Sequence, residues 1–243
     1  MNRLRRTLLP ALGLLLACHL PAWADTLMLG AGAGYRRPVT ELLARFEQVS
    51  GHHVDPLYAH LSGVVAQARQ TGQIAVILGD QAFLDKAGVA CAETLPLGHG
   101  RLVLAWPKGP GLSEVKQLTE PRFARIALPD AKAAIYGIAA TEFLQRSGLQ
   151  GPLAGRLQQA ATVPQVSAYL ISGEVDAGFL NLTDVLGIRD KIGGYLEIDP
   201  ALYSPIRIVA CVLDGHTADP TVRALGAFLQ TADAKTILAR HGL

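Results

Sequence analysis

Short apolar runs alternate along this chain with longer stretches in which apolar residues recur at helical spacing. That rhythm predicts strands buried between helices, the layering of an α/β fold on mostly parallel sheets. Thr26 to Gly30 reads as a strand, followed by a glycine-rich turn and a helix from about Arg37 to Val49. Pro38 suits the first turn of that helix, where its missing N–H costs nothing, and Ser50-Gly51 ends it. Val54 to Ala59 reads as a strand, Ser62 to Gln70 as a helix, Ile74 to Leu78 as a strand, and Asp80 as the cap of a short helix through Lys86. A second cycle opens with a strand at Arg101 to Trp106, closed by Pro107-Lys108-Gly109-Pro110-Gly111, a turn and a candidate crossing between lobes. Strands follow at Ala124 to Leu128, Ala177 to Leu180 and Ile206 to Leu213. Helices are predicted at Ile135 to Ser147, Pro164 to Ser172, Pro220 to Gln230 and Ala232 to His241. Strand-to-helix junctions place helix N-terminal N–H groups at the carboxyl ends of sheets, where α/β proteins hold their ligands.

Composition narrows the classes. A chain of 243 residues, half of them apolar, has enough material for one large core or two modest ones. A formal charge of +2 without a run of Lys or Arg argues against nucleic acid as a partner. The first 24 residues read as an export signal: Arg3, Arg5 and Arg6, an apolar run from Leu8 to Ala17, and a cleavage site at Ala22-Trp23-Ala24, so that the mature chain begins near Asp25 in the periplasm. Leu15-Leu16-Ala17-Cys18 offers a second reading, a lipoprotein acylated at Cys18. Beyond that segment only Cys91 and Cys211 remain; an oxidising compartment permits a disulfide, yet the apolar run around Cys211 favours a small core residue.

Candidate chemistry begins at Gly30-Ala31-Gly32-Ala33-Gly34-Tyr35. As a dinucleotide fingerprint with Asp55 on the ribose the spacing fails, because Tyr35 stands where the third glycine belongs. An anion nest, in which small residues bring main-chain N–H groups to a charged ligand, and a plain tight turn both remain open. His60 and Ser62 suggest a hydrolytic pair, but no Gly-x-Ser-x-Gly elbow accompanies them and catalysis is not expected. A metal-binding solute protein would draw on His52, His53, His60, His99 and His216, whose spacing forms no recognised zinc pattern.

A set of short motifs in a shared order is more informative. They are Gly30 to Gly34 leading into Glu41-Leu42-Leu43-Ala44-Arg45-Phe46, Ser62 opening a helix that ends at Gly72, and Ile77-Leu78-Gly79-Asp80-Gln81. Further on stand Ile135-Tyr136-Gly137 before Glu142-Phe143-Leu144, then Gly173-Glu174-Val175-Asp176-Ala177-Gly178-Phe179, and closing helices with Phe228-Leu229, Ala234, Ile237-Leu238 and Gly242-Leu243. Over essentially the whole mature region the chain resembles the periplasmic molybdate-binding proteins of ABC importers. The resemblance implies a two-lobed periplasmic-binding-protein fold of type II with two hinge crossings. Lobe one would comprise residues 25–99 and 207–243, and lobe two residues 100–206. It also implies a monomer that binds molybdate or tungstate without a cofactor or resident metal and delivers it to a membrane permease.

In that family hydroxyls and main-chain N–H groups hold the anion. By position the resemblance carries this role to Ala33, Gly34, Ser62 and Gly79 in lobe one, and to Tyr136, Val163 and Asn181 in lobe two. Tyr35, like Arg36 and Arg37, has no close counterpart in the family pattern and is a candidate because a tyrosine at a cleft mouth can donate its hydroxyl. The chain departs from the family at Gly34, where a serine is usual, at Asn181, where a tyrosine is usual, and at Ile74, where an aspartate is often seen. Were Arg36 or Arg37 to enter the cleft, the site would be cationic and suited instead to a carboxylate, sulfonate or phosphate-bearing solute.

Overall fold

The computed structural model describes residues 27–243; the export segment with Cys18, and Thr26 of the first predicted strand, lie outside the described residues. The strands are β1 (Leu27–Gly32), β2 (Val54–Ala59), β3 (Ile74–Asp80), β4 (Cys91–Gly100), β5 (Leu102–Trp106), β6 (Ile126–Pro129), β7 (Leu157–Ala160), β8 (Ala177–Asn181), β9 (Gly194–Glu197) and β10 (Ile206–Leu213). The helices are α1 (Arg36–Ser50), α2 (Leu61–Thr71), α3 (Gln81–Lys86), α4 (Ile135–Arg146), α5 (Gln150–Leu153), α6 (Val163–Ser172), α7 (Leu182–Leu186), α8 (Pro220–Leu229) and α9 (Ala232–Arg240).

These strands form two five-stranded sheets, ordered β2-β1-β3-β10-β4 and β7-β6-β8-β5-β9. Each has a parallel part, β2-β1-β3 in one and β7-β6-β8 in the other, extended by antiparallel strands. All seven residues of β3 are buried, the pattern of a strand covered on both faces. Helix α1 buries Val39, Leu42, Leu43 and Phe46, one stripe at helical spacing, and ends at Gly51 in the left-handed region at φ 73°.

The chain passes from the first sheet to the second at Arg101, between β4 and β5, and returns between β9 and β10. The Pro107 to Gly111 turn is therefore not a crossing; it leaves β5 and remains with the second sheet. Gly100 abuts the first crossing so closely that a Cβ there would lie 2.1 Å from the Tyr136 hydroxyl oxygen.

Two further expectations are corrected. Cys211 is buried as expected, but it is bonded to Cys91, with Cα atoms 5.2 Å apart, and this disulfide ties the edge strand β4 to β10. Helix α2 begins one residue earlier than the sequence suggested, and its cap is His60, whose Nδ1 accepts the Gly63 N–H, so Ser62 sits inside the first turn.

Candidate functional site

Four strand-to-helix junctions converge between the two sheets. From the first sheet come Gly32 to Tyr35, after β1, and Ala59 to Leu61, after β2; from the second come Ala134 to Tyr136, after β6, and Thr162 and Val163, after β7. They enclose a cavity offering about 20 Å³ to the centre of a water-sized sphere. That exceeds the space of a single water and falls far below a sugar or peptide site, so the volume suits one small ion.

Local chemistry explains why donors point inward. The first N–H groups of a helix have no acceptor in their own helix, and α2, α4 and α6 all begin at this cavity. Thr162 caps α6 through its side chain, and Pro164 follows where a missing N–H costs nothing. The N–H groups of Leu61, Ile135, Tyr136 and Val163 thus stand at one space, backed by helices of 10 to 12 residues with aligned dipoles.

Two tyrosines close the cavity toward the crossing. The Tyr35 and Tyr136 hydroxyls lie 2.5 Å apart, from opposite sheets, with rings only 1 % and 2 % exposed. Burial raises both above the ordinary phenol value, and for Tyr35 the neighbouring Tyr136 adds to the shift, so both stay protonated. The pair holds two protons and its mutual bond uses one, which leaves a donor for a ligand.

Among the described residues no Lys or Arg lines the cavity. Arg36 stacks over the Tyr58 ring at 4.2 Å, and Arg37 pairs with Asp184 at 2.5 Å. The cationic site considered from the sequence is not favoured by these positions. Arg37 instead joins α1 to α7, where Ser167 also donates to the Asp184 carboxylate. Arg37→Ala is expected to remove about 1 kcal/mol of lobe closure and weaken ligand binding about fivefold, since the Asp184 carboxylate keeps its Ser167 bond. Calorimetry with small-angle scattering checks this, and unchanged affinity with unchanged radius would refute a closing role.

Of the residues the sequence nominated, Ala33, Gly34, Tyr35, Tyr136 and Val163 line the cavity. Ser62, Gly79 and Asn181 do not. Ser62 directs its hydroxyl to His60 Nδ1, at 2.9 Å. Gly79 lies behind the wall, where a Cβ would stand 2.8 Å from both Cδ atoms of Leu61. Asn181 is fully buried, caps α7 by accepting the Asp184 N–H, and donates to the Gly34 carbonyl at 3.0 Å. The departures at Gly34 and Asn181 are therefore one feature: a Cβ at position 34 would stand 3.0 Å from the Asn181 carboxamide oxygen.

His60 and Thr162 line the cavity without having been nominated as anion ligands. Their signal was present, since each precedes a helix at the end of a strand. The hydrolytic pairing does gain a contact between Ser62 and His60, but the Gly63 N–H occupies the same ring nitrogen. Histidines 52, 53, 99 and 216 sit apart from the cavity, and among the described residues no group of three or more His, Cys, Asp or Glu is placed to hold a metal.

The relatives share this frame. Over 239 residues the chain is 28 % identical to the molybdate-binding protein ModA of Rhodobacter capsulatus, covering 96 % of this chain and 93 % of that one. The structure of the Azotobacter vinelandii periplasmic molybdate-binding protein superposes with a TM-score of 0.80 at 25 % identity, covering 89 % of this chain and 97 % of that one. The sulfate-binding protein SubI of Mycobacterium tuberculosis H37Rv, at 13 % identity and a TM-score of 0.72 over 89 % of this chain and 85 % of its own, shares the fold. The model of the bacterial extracellular solute-binding proteins matches residues 27–243, and with its two-lobed type II fold this chain belongs to that family.

Proposed function

We propose that the protein is the substrate-binding subunit of an ABC importer and captures molybdate or tungstate between its lobes. The observation that carries this reading is a cavity of about 20 Å³ reached by helix N-termini from both sheets and, among the described residues, lined by no Lys or Arg. A doubly charged anion leaving water must be met by several short hydrogen bonds, each strengthened by its charge. Uncharged donors converging from two sides supply them without fixing a counter-charge. Size then selects, because a smaller sulfate fails to reach every donor at once. The relatives named for molybdate support the choice of anion.

In this reading Ala33, Gly34 and Tyr35 contribute from lobe one, residues 25–99 and 207–243, and Tyr136 and Val163 from lobe two, residues 100–206. No chemistry is performed. The exported chain, released after Ala24, acts in the periplasm as a monomer and presents its closed form to a membrane permease. The test is isothermal titration of protein from Asp25 onward against molybdate, tungstate, sulfate and phosphate. Tight binding of the first two with little response to sulfate is the expected result. Silence toward every tetrahedral anion would overturn the assignment.

A further inference from the structure

Resting on the reading of the cavity as an oxyanion site, we infer that His60 is a direct ligand of the anion, donating through Nε2, and that Ser62 serves to hold its ring. His60 lines the cavity at the junction of β2 and α2. Its Nδ1 accepts the Gly63 N–H at 3.0 Å and lies 2.9 Å from the Ser62 hydroxyl. A main-chain amide only donates, so Nδ1 carries no proton while this bond stands, and the ring proton belongs to Nε2. Among the described residues Nε2 has no hydrogen-bond partner. A donor of assigned tautomer, with its other nitrogen fixed, thus stands on a residue that borders a space built for an acceptor.

The rest of the wall is sparse in side-chain donors. Ala33, Ala59, Leu61, Ala134, Ile135 and Val163 offer only main-chain groups. Thr162 accepts the Gln165 N–H at its cap and keeps its own proton, and the two tyrosines, bonded to each other, leave one proton between them for a ligand. Position 34 holds a glycine because Asn181 fills the adjoining space, so no hydroxyl comes from that position. His60 adds a second side-chain donor to lobe one beside Tyr35, and Ser62, which does not touch the cavity, acts through it as a positioning residue.

Two substitutions separate the cap from the donor. His60→Asn places an amide oxygen near Nδ1, preserving a favoured helix cap, and ends short of Nε2. His60→Gln carries an amide nitrogen to about the reach of Nε2. Titrated with molybdate, His60→Asn is expected to bind at least tenfold more weakly than the parent with its melting point nearly unchanged; His60→Gln should recover most of the affinity. Ser62→Ala, which only loosens the ring, should fall between the parent and His60→Asn. In the parent, ¹⁵N spectra of the histidines should show His60 protonated at Nε2, with that resonance shifting when molybdate is added. The inference is overturned if His60→Asn binds within twofold of the parent, or if the Nε2 resonance ignores molybdate that calorimetry shows to be bound; the oxyanion reading then still stands. A parent that binds no molybdate or tungstate overturns both.

Discussion

Gly137→Ala is expected to abolish tight anion binding and to cost about 3 kcal/mol of stability. A Cβ at this position would lie 2.1 Å from the carbonyl oxygen of Asp130 and 2.4 Å from that of Pro129. Both are main-chain atoms at the end of β6, so no side chain can rotate away and the whole first turn of α4 must lift. That turn carries Ala134, Ile135 and Tyr136 into the cavity. Losing the N–H groups of Ile135 and Tyr136 as donors to a charged ligand costs about 3 kcal/mol or more, which is about a hundredfold in affinity. Calorimetry and thermal unfolding check both parts. Gly151→Ala is the control, since a Cβ there meets nothing within 4 Å and should change neither quantity. Parent-like binding by the Gly137 variant would mean that α4 does not supply donors.

Reduction of the Cys91–Cys211 disulfide is expected to lower the melting temperature by roughly 10–15 °C while leaving anion affinity at 25 °C nearly unchanged. The bonded cysteines are 120 residues apart, and the loop they close contains every strand of the second sheet. Cross-linking a loop of that length restricts the unfolded chain by about 4–5 kcal/mol. Because β4 and β10 pair along almost their whole length, the bond is not needed to shape the site. Melting curves with and without a phosphine reductant make the comparison. A shift of about 2 °C or less would show that the unfolded chain gains little from release of the loop.

What the sequence disclosed follows burial. Strands β2 and β10 have the bounds the apolar runs predicted, and β1, β3, β5, β6 and β8 lie within a few residues of expectation. The strands that escaped notice are β4, β7 and β9, all at sheet edges. In β7, Gln158 and Gln159 are exposed side by side, and β4 includes Pro96 and Gly98, so neither alternates as a half-buried strand should. The type II fold was legible because motif order survives such local noise. The site was legible only in part. Family position led to Ala33, Gly34, Tyr136 and Val163, and the hydroxyl beside that loop to Tyr35. The same family positions led to Ser62 and Asn181, whose side chains turn elsewhere, and to Gly79, which lies behind Leu61, none of which spacing encodes. His60 was weighed as a metal ligand and as a catalytic base, both of which require a cluster, and its place as a helix cap emerged only from the coordinates.

The contacts between Arg37 and Asp184, and between Asn181 and the Gly34 carbonyl, consist entirely of protein atoms. Exit of a ligand must break them as well as the ligand's own bonds, so they lengthen residence time whatever the cavity holds. The clasp therefore adds to affinity and residence time alike for any anion, while the choice among anions is left to the donors of the cavity. Weakening this clasp would speed exchange with the medium without altering which anion is preferred, giving selectivity and turnover independent controls on one scaffold.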